Sequence, residues 1–166
     1  MSQLVNTNRL NDAMRLFKEK YVELIVNVPP LFSDARRVVK SLKDSGLVLG
    51  IATNMEERYA KKILRQSKIE GYFEAVIGVD DHGKLKPNPD IIFDALRGMN
   101  LPRKDVVFVG DSMIDIEAGK NAGVDVYAVA TGFETRETLS LNMPKRILNR
   151  LKDLIEIVED NRFPNE

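Results

Sequence analysis

Short apolar segments alternate with helical patterns along this chain, and this alternation constrains the fold more than any other feature of the sequence. Each apolar segment has the length of a buried strand and is followed by apolar side chains at helical spacing. Strands separated by helices pair in parallel through right-handed crossovers. We therefore predict an α/β fold, a Rossmann-like parallel sheet flanked by helices. The predicted strands are residues 47–52, 74–79, 106–109 and 124–129.

Capping residues predict where several helices begin and end. Ser33 can cap a helix over residues 35–42, and Gly46 follows its end. Asn88 is predicted to cap another helix, with Pro89 at its first helical position. The last helix is predicted from a strong amphipathic repeat, formed by Ile147, Leu148, Leu151, Leu154, Ile155 and Val158.

Composition excludes several classes of function. The 166 residues suffice for one domain with a substantial core. Lys and Arg together number 25, as do Asp and Glu, so the zero net charge favours neither a nucleic-acid nor an anionic-membrane partner. No apolar run has membrane-spanning length and no secretory signal is evident, so we expect a cytoplasmic protein. The lack of cysteine excludes disulfides, zinc–thiolate sites and cysteine nucleophiles.

The single histidine is a weak candidate for catalysis. His82 lies in a predicted turn next to Gly83, where a histidine side chain is usually solvated. The sequence also lacks the nucleophile-elbow pattern that would accompany a serine-based hydrolase of the α/β type.

Two carboxylates stand just beyond the strand predicted at 106–109. They are Asp111 and Asp115, in the run Gly110-Asp111-Ser112-Met113-Ile114-Asp115. Carboxylates this close repel each other unless a positive charge lies beside them, and Mg²⁺ held by one or two carboxylates is a common reason for such a pair. The alternative is a helix cap, with Asp111 or Ser112 at the cap and Asp115 as a solvated first-turn acid.

Two further segments carry candidate site residues. Thr53 and Asn54 follow the first predicted strand, where a helix N-terminus suits phosphate; the alternative is that one of them only caps that helix. Lys86 precedes Pro87-Asn88-Pro89, a rigid helix entry that can aim its charge into a cleft; the alternative is an ordinary surface lysine. Ligands bind parallel sheets beyond the carboxyl ends of the strands, so these groups together point to phosphoryl transfer.

These segments resemble the haloacid dehalogenase (HAD) superfamily, and within it the phosphatases of the phosphoglycolate-phosphatase-like group. The family's strand followed by Thr-Asn matches Ile51-Ala52-Thr53-Asn54, and its Lys-Pro-x-Pro motif matches Lys86-Pro87-Asn88-Pro89. Its Gly-Asp-Ser-x-x-Asp motif matches residues 110–115. Each motif alone is weak, but the three occur in the family's order and spacing.

The resemblance implies a role for each matching residue. Thr53 would bind a phosphoryl oxygen with help from Asn54. Lys86 would neutralise the phosphoryl group and the nucleophile, which makes Lys86 and Thr53 the expected catalytic residues. Asp111 would be a ligand of Mg²⁺, the implied cofactor, and Asp115 would either join the metal ligands or hold a metal-bound water. The implied reaction is Mg²⁺-dependent hydrolysis of a small phosphate monoester through an aspartyl-phosphate.

The family's first motif, Asp-x-Asp-x-Thr after an N-terminal strand, is not found in this chain. Its first Asp is the nucleophile and its second the general acid/base. Leu4-Val5-Asn6-Thr7-Asn8 has a similar shape but carries amides, and Asp80 and Asp81 follow a different strand. The motif's strand is central in the family, so we expect that here the sheet closes up, borrows a strand or stays split.

We interpret residues 1–166 as a single HAD-like core domain, with residues 9–32 resembling the end of a cap domain. Three readings follow: a phosphatase whose N-terminal piece lies outside this chain, a non-catalytic phosphate- or metal-binding or self-assembling remnant, and an enzyme with a relocated nucleophile at Asp80 or Asp81. A small phosphorylated substrate is expected, and either a second copy of the chain or an N-terminal fragment would complete the sheet.

Overall fold

The computed structural model describes residues 12–13, 15–16, 20, 23, 34–79, 85–132 and 134–160. The chain divides into two compact units, residues 1–30 and 31–166. The described residues of the first unit are helical. Several predictions fall outside the described residues: the Leu4–Asn8 segment, the cap at Ser33, and the roles considered for Asp80, Asp81 and His82.

The second unit alternates helices and strands, which confirms the predicted α/β class. Two 3₁₀ turns, Glu70–Tyr72 and Arg103–Asp105, lie between these elements. The elements are α1 (Ala35–Asp44), β1 (Gly50–Glu56), α2 (Glu57–Gln66), β2 (Ala75–Val79), α3 (Asp90–Met99), β3 (Val107–Gly110), α4 (Met113–Ala122), β4 (Asp125–Val129), α5 (Arg136–Leu141), β5 (Arg146–Leu148) and α6 (Asp153–Glu159).

The strands form two parallel sheets. One has the order β1-β2 and the other the order β3-β4-β5. Ile51 is in register with Val76 in the first sheet, and Phe108 with Val126 in the second. Within the described part of the chain, β1 and β3 each pair along one edge only. Among the described residues, the sheet therefore does not close up between β1 and β3, and the prediction of a borrowed strand falls on residues outside the described ranges.

Helices α3 and α4 form an apolar layer that packs against both sheets. Its buried members include Ile92 and Ala118, and Ala52 of β1 and Phe108 of β3 both pack against the same cluster. Strand β4 is buried on both faces: Val126 and Ala128 contact one cluster, and alternate residues contact another that includes α6. This alternation follows from the two-residue period of a strand and places β4 at the centre of its layer.

The first strand begins later than predicted. It runs from Gly50 to Glu56 instead of 47–52, so Thr53 and Asn54 belong to its carboxyl-terminal part. The helix that follows starts at Glu57 with Glu56 at its cap position, and no side chain caps it. The prediction that Thr53 or Asn54 caps this helix is therefore wrong, because the helix starts three residues further along the chain.

The predicted last helix is partly wrong. Residues 146–148 form β5, which pairs in parallel with β4, and the helix starts only at Asp153. Asp153 accepts hydrogen bonds from the amides of Asn149 and Arg150, at 3.0 Å each, which fixes the turn between the two elements. The short helix α5 was not predicted.

Other helix boundaries lie close to those predicted. Asn88 Oδ1 accepts a hydrogen bond from the Asp90 amide at 2.9 Å, so α3 begins one residue later than expected, with Pro89 at the cap position. Gly46 and Gly123 follow α1 and α4 with φ of +83° and +70°, the left-handed conformation expected after a helix. In the described ranges, no helix has the combination of length and apolar character needed to cross a membrane.

Candidate functional site

The Lys86 side chain contacts β1, β3 and the helix that follows β3. Its ammonium donates to the Ala52 carbonyl of β1 at 3.0 Å and to Asp115 Oδ1 of α4 at 2.7 Å. The ammonium also lies 5.5 Å from the centre of the Phe108 ring of β3. Only 11% of the Lys86 side chain is exposed. This lysine is thus a largely buried ion-pair partner and not an ordinary surface lysine.

Asp115 is a buried carboxylate with a donor on each oxygen. Oδ1 accepts from Lys86, and Oδ2 accepts from the Ser112 hydroxyl at 2.7 Å and from the Asp111 amide at 3.3 Å. Burial by itself would raise the pKa of Asp115, but the hydrogen bonds from Lys86 and Ser112 outweigh it, and the net pKa is lowered. Asp115 is therefore not the solvated first-turn acid of the helix-cap alternative.

The helix-cap alternative is correct for Ser112. This residue has extended backbone geometry at the N-cap of α4, and its hydroxyl oxygen accepts a hydrogen bond from the Asp115 amide at 3.2 Å. The same hydroxyl donates to the Asp115 carboxylate. Ser112 thus begins the helix and orients the acid in its first turn.

Asp111 is an exposed carboxylate beside this buried one. Burial of part of the group and the nearby Asp115 charge raise the pKa of Asp111. Gly132 packs closely against it: a Cβ added at Gly132 would lie 2.5 Å from Asp111 Oδ2. A side chain at this point would therefore displace the Asp111 carboxylate from its position beside the loop after β4.

The two aspartates fit a cation that is held by few protein ligands. Asp111 provides a carboxylate that a nearby positive charge would stabilise, whereas both oxygens of Asp115 already accept hydrogen bonds. No group of three or more acidic, histidine or cysteine side chains suited to a metal is found among the described residues. The pair suits Mg²⁺, which is commonly bound through one or two carboxylates together with water and phosphate oxygens.

Thr53 and Asn54 are neighbours in β1, but their side chains make different hydrogen bonds. The Thr53 hydroxyl accepts a hydrogen bond from the Met55 amide at 3.1 Å. The Asn54 amide contacts the backbone of Lys86: its Oδ1 accepts from the Lys86 N–H at 2.8 Å, and its Nδ2 donates to the Lys86 carbonyl at 3.4 Å. The structure thus joins Asn54, Lys86 and Asp115 in one hydrogen-bonded chain, with Thr53 in the strand between Asn54 and Ala52.

The sequence predicted no role for two residues of this region. The Asn121 amide of α4 donates to the Pro87 carbonyl at 3.0 Å, and Glu134 Oε2 accepts from the Met113 amide at 2.8 Å. Asn121 stands in the run Asn121-Ala122-Gly123, which offers a weak signal of a helix end but none of its distant partner. Glu134 follows β4 at a position where no local pattern marks a contact with α4.

Comparison with known proteins identifies related sequences and folds. The family model for haloacid dehalogenase-like hydrolases matches residues 1–129. A phosphoglycolate phosphatase of Pseudomonas fluorescens (strain Pf-5) is 32% identical over 143 residues, covering 86% of this chain and 52% of that protein. The chain thus spans about half the length of this relative.

Solved structures show the same fold. A predicted phosphoglycolate phosphatase from Haemophilus somnus 129PT has a TM-score of 0.82 at 25% identity, covering 92% of this chain and 68% of that one. The structure of CbbY from Rhodobacter sphaeroides in complex with phosphate has a TM-score of 0.72 at 25% identity, covering 87% and 65%. The family match, the relatives and the shared fold show that this chain belongs to the haloacid dehalogenase-like hydrolases.

Proposed function

We propose that this chain carries the phosphate-binding part of a Mg²⁺-dependent phosphatase that acts on a small phosphate monoester. Membership of the hydrolase family and the similarity to phosphoglycolate phosphatases support the reaction class. The proposed domain organisation is a HAD-like core over residues 1–166, with residues 9–32 as the end of a cap. We expect the active protein to work in the cytoplasm.

The observation that carries the proposal is the position of the Lys86 ammonium. It is largely buried, 2.7 Å from the Asp115 carboxylate and 3.0 Å from the Ala52 carbonyl within β1. A buried cation at the carboxyl ends of parallel strands can neutralise an entering phosphoryl group. An ammonium held in this way needs no reorganisation when negative charge develops on the phosphoryl oxygens.

The remaining groups receive roles that match their positions. The Thr53 hydroxyl donates to a phosphoryl oxygen beside Lys86, and Asn54 lies next to both. Asp111 and Asp115 would hold Mg²⁺. When bound, this ion neutralises charge on the phosphoryl oxygens. Asp115 also keeps the Lys86 ammonium at the site through its 2.7 Å ion pair.

The attacking carboxylate is the part of the reaction that this sequence does not supply in recognisable form. We propose that a segment carrying Asp-x-Asp-x-Thr enters beside β1 and β3, each of which is paired on one edge only among the described residues. Its first carboxylate would attack phosphorus and displace the alcohol. Its second would protonate the leaving oxygen and then activate the water that hydrolyses the acyl phosphate.

Hydrolysis of p-nitrophenyl phosphate tests this proposal. The 166-residue chain is assayed with and without Mg²⁺, alone and after fusion to the N-terminal segment of the Pseudomonas fluorescens relative. We expect Mg²⁺-dependent turnover only in the fusion, and a loss of about 100-fold or more in kcat when the fusion carries Lys86→Met or Asp111→Asn. Asn149→Asp, an exposed substitution outside the site, is the control and should retain activity.

Any other result of this assay would support a different hypothesis about the function. Turnover by the chain alone would contradict the missing-segment proposal and move the search for a nucleophile to Asp80 and Asp81. A folded but inactive fusion would contradict the phosphatase proposal. If that fusion still bound Mg²⁺ or inorganic phosphate, a non-catalytic binding function would replace it.

A further inference from the structure

The segment Lys86-Pro87 is held on two sides by asparagine side chains that are distant in sequence. From β1, Asn54 accepts from the Lys86 N–H at 2.8 Å and donates to the Lys86 carbonyl at 3.4 Å. From α4, Asn121 donates to the Pro87 carbonyl at 3.0 Å. The backbone on both sides of the Lys86–Pro87 peptide is therefore bonded to strand β1 on one side and to helix α4 on the other.

These hydrogen bonds fix the position of the backbone from which the Lys86 side chain extends. A lysine side chain has many rotamers, so its ammonium has a defined position only if the backbone and the end of the chain are both restrained. The end of Lys86 is restrained by Ala52 and Asp115. The two asparagines supply the other restraint. Asn54 holds the amide and carbonyl groups of Lys86, and Asn121 holds the carbonyl of Pro87, the next residue.

The geometry also bears on Asn54 itself. Both ends of its amide group are engaged by the Lys86 backbone. Contact with phosphate would compete with these hydrogen bonds. A role in orienting the lysine needs only the hydrogen bonds that the structure shows for this amide. Asn121, for which the sequence predicted no role, would do the same from the opposite side.

We propose that Asn54 and Asn121 are positioning residues that hold the Lys86–Pro87 backbone so that the Lys86 ammonium reaches Asp115 and the Ala52 carbonyl. The importance of this for phosphoryl transfer rests on the proposed function. The positioning itself concerns only contacts within the chain. A positioning role differs from a general contribution to folding because its loss changes how the Lys86 ammonium is held.

Replacing either asparagine with aspartate tests its contact. Both replacements add one negative charge and barely change the shape of the side chain. Asn54→Asp keeps an acceptor for the Lys86 N–H and loses only the longer bond to the carbonyl. Asn121→Asp loses its single bond, because a carboxylate cannot donate to the Pro87 carbonyl. Asn149→Asp is the matched control, since Asn149 is exposed and uses its Oδ1 to accept from Arg136 at 3.0 Å.

The readout is the Lys86 ammonium signal in ¹H–¹⁵N spectra of the full chain, identified by its loss in Lys86→Met. A buried, hydrogen-bonded ammonium exchanges its protons slowly with water. We expect Asn121→Asp to speed this exchange by roughly two- to tenfold, the change that corresponds to losing one hydrogen bond. Asn54→Asp should have a smaller effect, Asn54→Ala a larger one, and Asn149→Asp none.

Unchanged ammonium exchange in Asn121→Asp and Asn54→Ala would overturn the proposal, even if either variant were less stable to heat. A wild-type chain with no slowly exchanging Lys86 ammonium would overturn it as well. Titration with inorganic phosphate separates this result from the proposed function. Failure of phosphate to shift the wild-type ammonium signal would count against the phosphatase site, whereas the exchange rates of the variants alone decide the positioning role.

Discussion

At the scale of single residues, the site is organised around one ion pair. Asp115 and Lys86 are both about one-tenth exposed, and each charge is partnered by the other. Removing water from two charges is unfavourable, so such a pair is maintained only with good geometry and further hydrogen bonds. Ser112, the Asp111 amide and the Ala52 carbonyl provide those bonds.

The lowered pKa of Asp115 predicts how this ion pair contributes to stability as pH changes. Burial raises the pKa, but the hydrogen bonds from Lys86 and Ser112 lower it further than burial raises it. A carboxyl group with a lowered pKa in the folded state stabilises the fold above its unfolded pKa of about 3.9 and loses this contribution as pH falls through the folded value. Asp115→Asn removes this effect and leaves the Lys86 ammonium without an anionic partner.

We expect Asp115→Asn to lower the free energy of unfolding by roughly 2–5 kcal/mol at pH 7. The difference from the wild type should shrink as pH falls below about 4. Urea unfolding between pH 7 and pH 2.5, with a chelator present, measures it. A difference that stayed constant down to pH 2.5 would contradict the lowered pKa.

The close contact between Gly132 and Asp111 leads to a second prediction at the residue scale. A methyl group at this position would lie 2.5 Å from Asp111 Oδ2 and would displace the carboxylate. If Asp111 binds Mg²⁺ as proposed, Gly132→Ala should weaken that binding by about tenfold, a common effect of disturbing a group that supports a metal ligand. Calorimetric titration with Mg²⁺ measures it. Gly71→Ala is the control, because a Cβ there would meet nothing within 4 Å; equal affinity in both variants would refute the prediction.

At the scale of elements, close packing between α4 and β4 holds the acidic turn at the edge of the sheet. Gly119 of α4 lies against Val126 of β4, and an added Cβ would overlap the valine side chain and approach Phe108 Cδ1 at 3.2 Å. Ala118 and Ile116 of the same helix are fully buried. The direction of α4, and with it the position of Asp115, is set by this contact.

Gly119→Ala should therefore force α4 away from β4. Overpacking of a close contact typically destabilises a protein by about 1–3 kcal/mol, and we expect the loss in unfolding free energy to fall in this range. Gly71→Ala again serves as the control and should change stability by less than about 0.5 kcal/mol. Chemical denaturation of the two variants measures their free energies of unfolding. Equal values would contradict the prediction and show that α4 accommodates the added methyl group without loss of stability.

At the scale of the whole second unit, the layer formed by α3 and α4 connects two separate sheets. Ile92 is 2% exposed and belongs to the cluster against which residues of both sheets pack. Backbone hydrogen bonds join strands within each sheet, but among the described residues none joins β1 to β3. Between the described parts of the two sheets, apolar burial and the Lys86 contacts provide the connection.

This arrangement predicts that a cavity in the shared layer weakens both sheets at once. Ile92→Ala should lower the free energy of unfolding by roughly 2–5 kcal/mol. Hydrogen exchange at Ile51 in β1 and at Val109 in β3 should accelerate by the same factor. Leu141→Ala, at a side chain that is 72% exposed, is the control. Acceleration confined to one sheet would show that the two sheets unfold independently.

Local patterns were sufficient to predict most of the elements, and they also indicated the residue types of the candidate site. Strand periodicity located β2, β3 and β4 within a residue or two, because a strand buried on both faces is a continuous apolar run. The apolar run at 146–148 misled the prediction, since three residues fit a helix or a strand equally well and only pairing with β4 decides between them. The family motifs identified Lys86, Asp111 and Asp115 before any contact between them was known.

The sequence by itself determined the fold class and the family. It also located the three candidate segments around Asp111, Lys86 and Thr53, because such motifs depend on local spacing and residue type. Only the tertiary structure decided that Asn54 and Asn121 contact the Lys86–Pro87 backbone, that Asp115 is the buried partner of the lysine, and that the described strands form two sheets. These features join residues some thirty positions apart, and contacts of that kind are set by how layers pack, which no local pattern records.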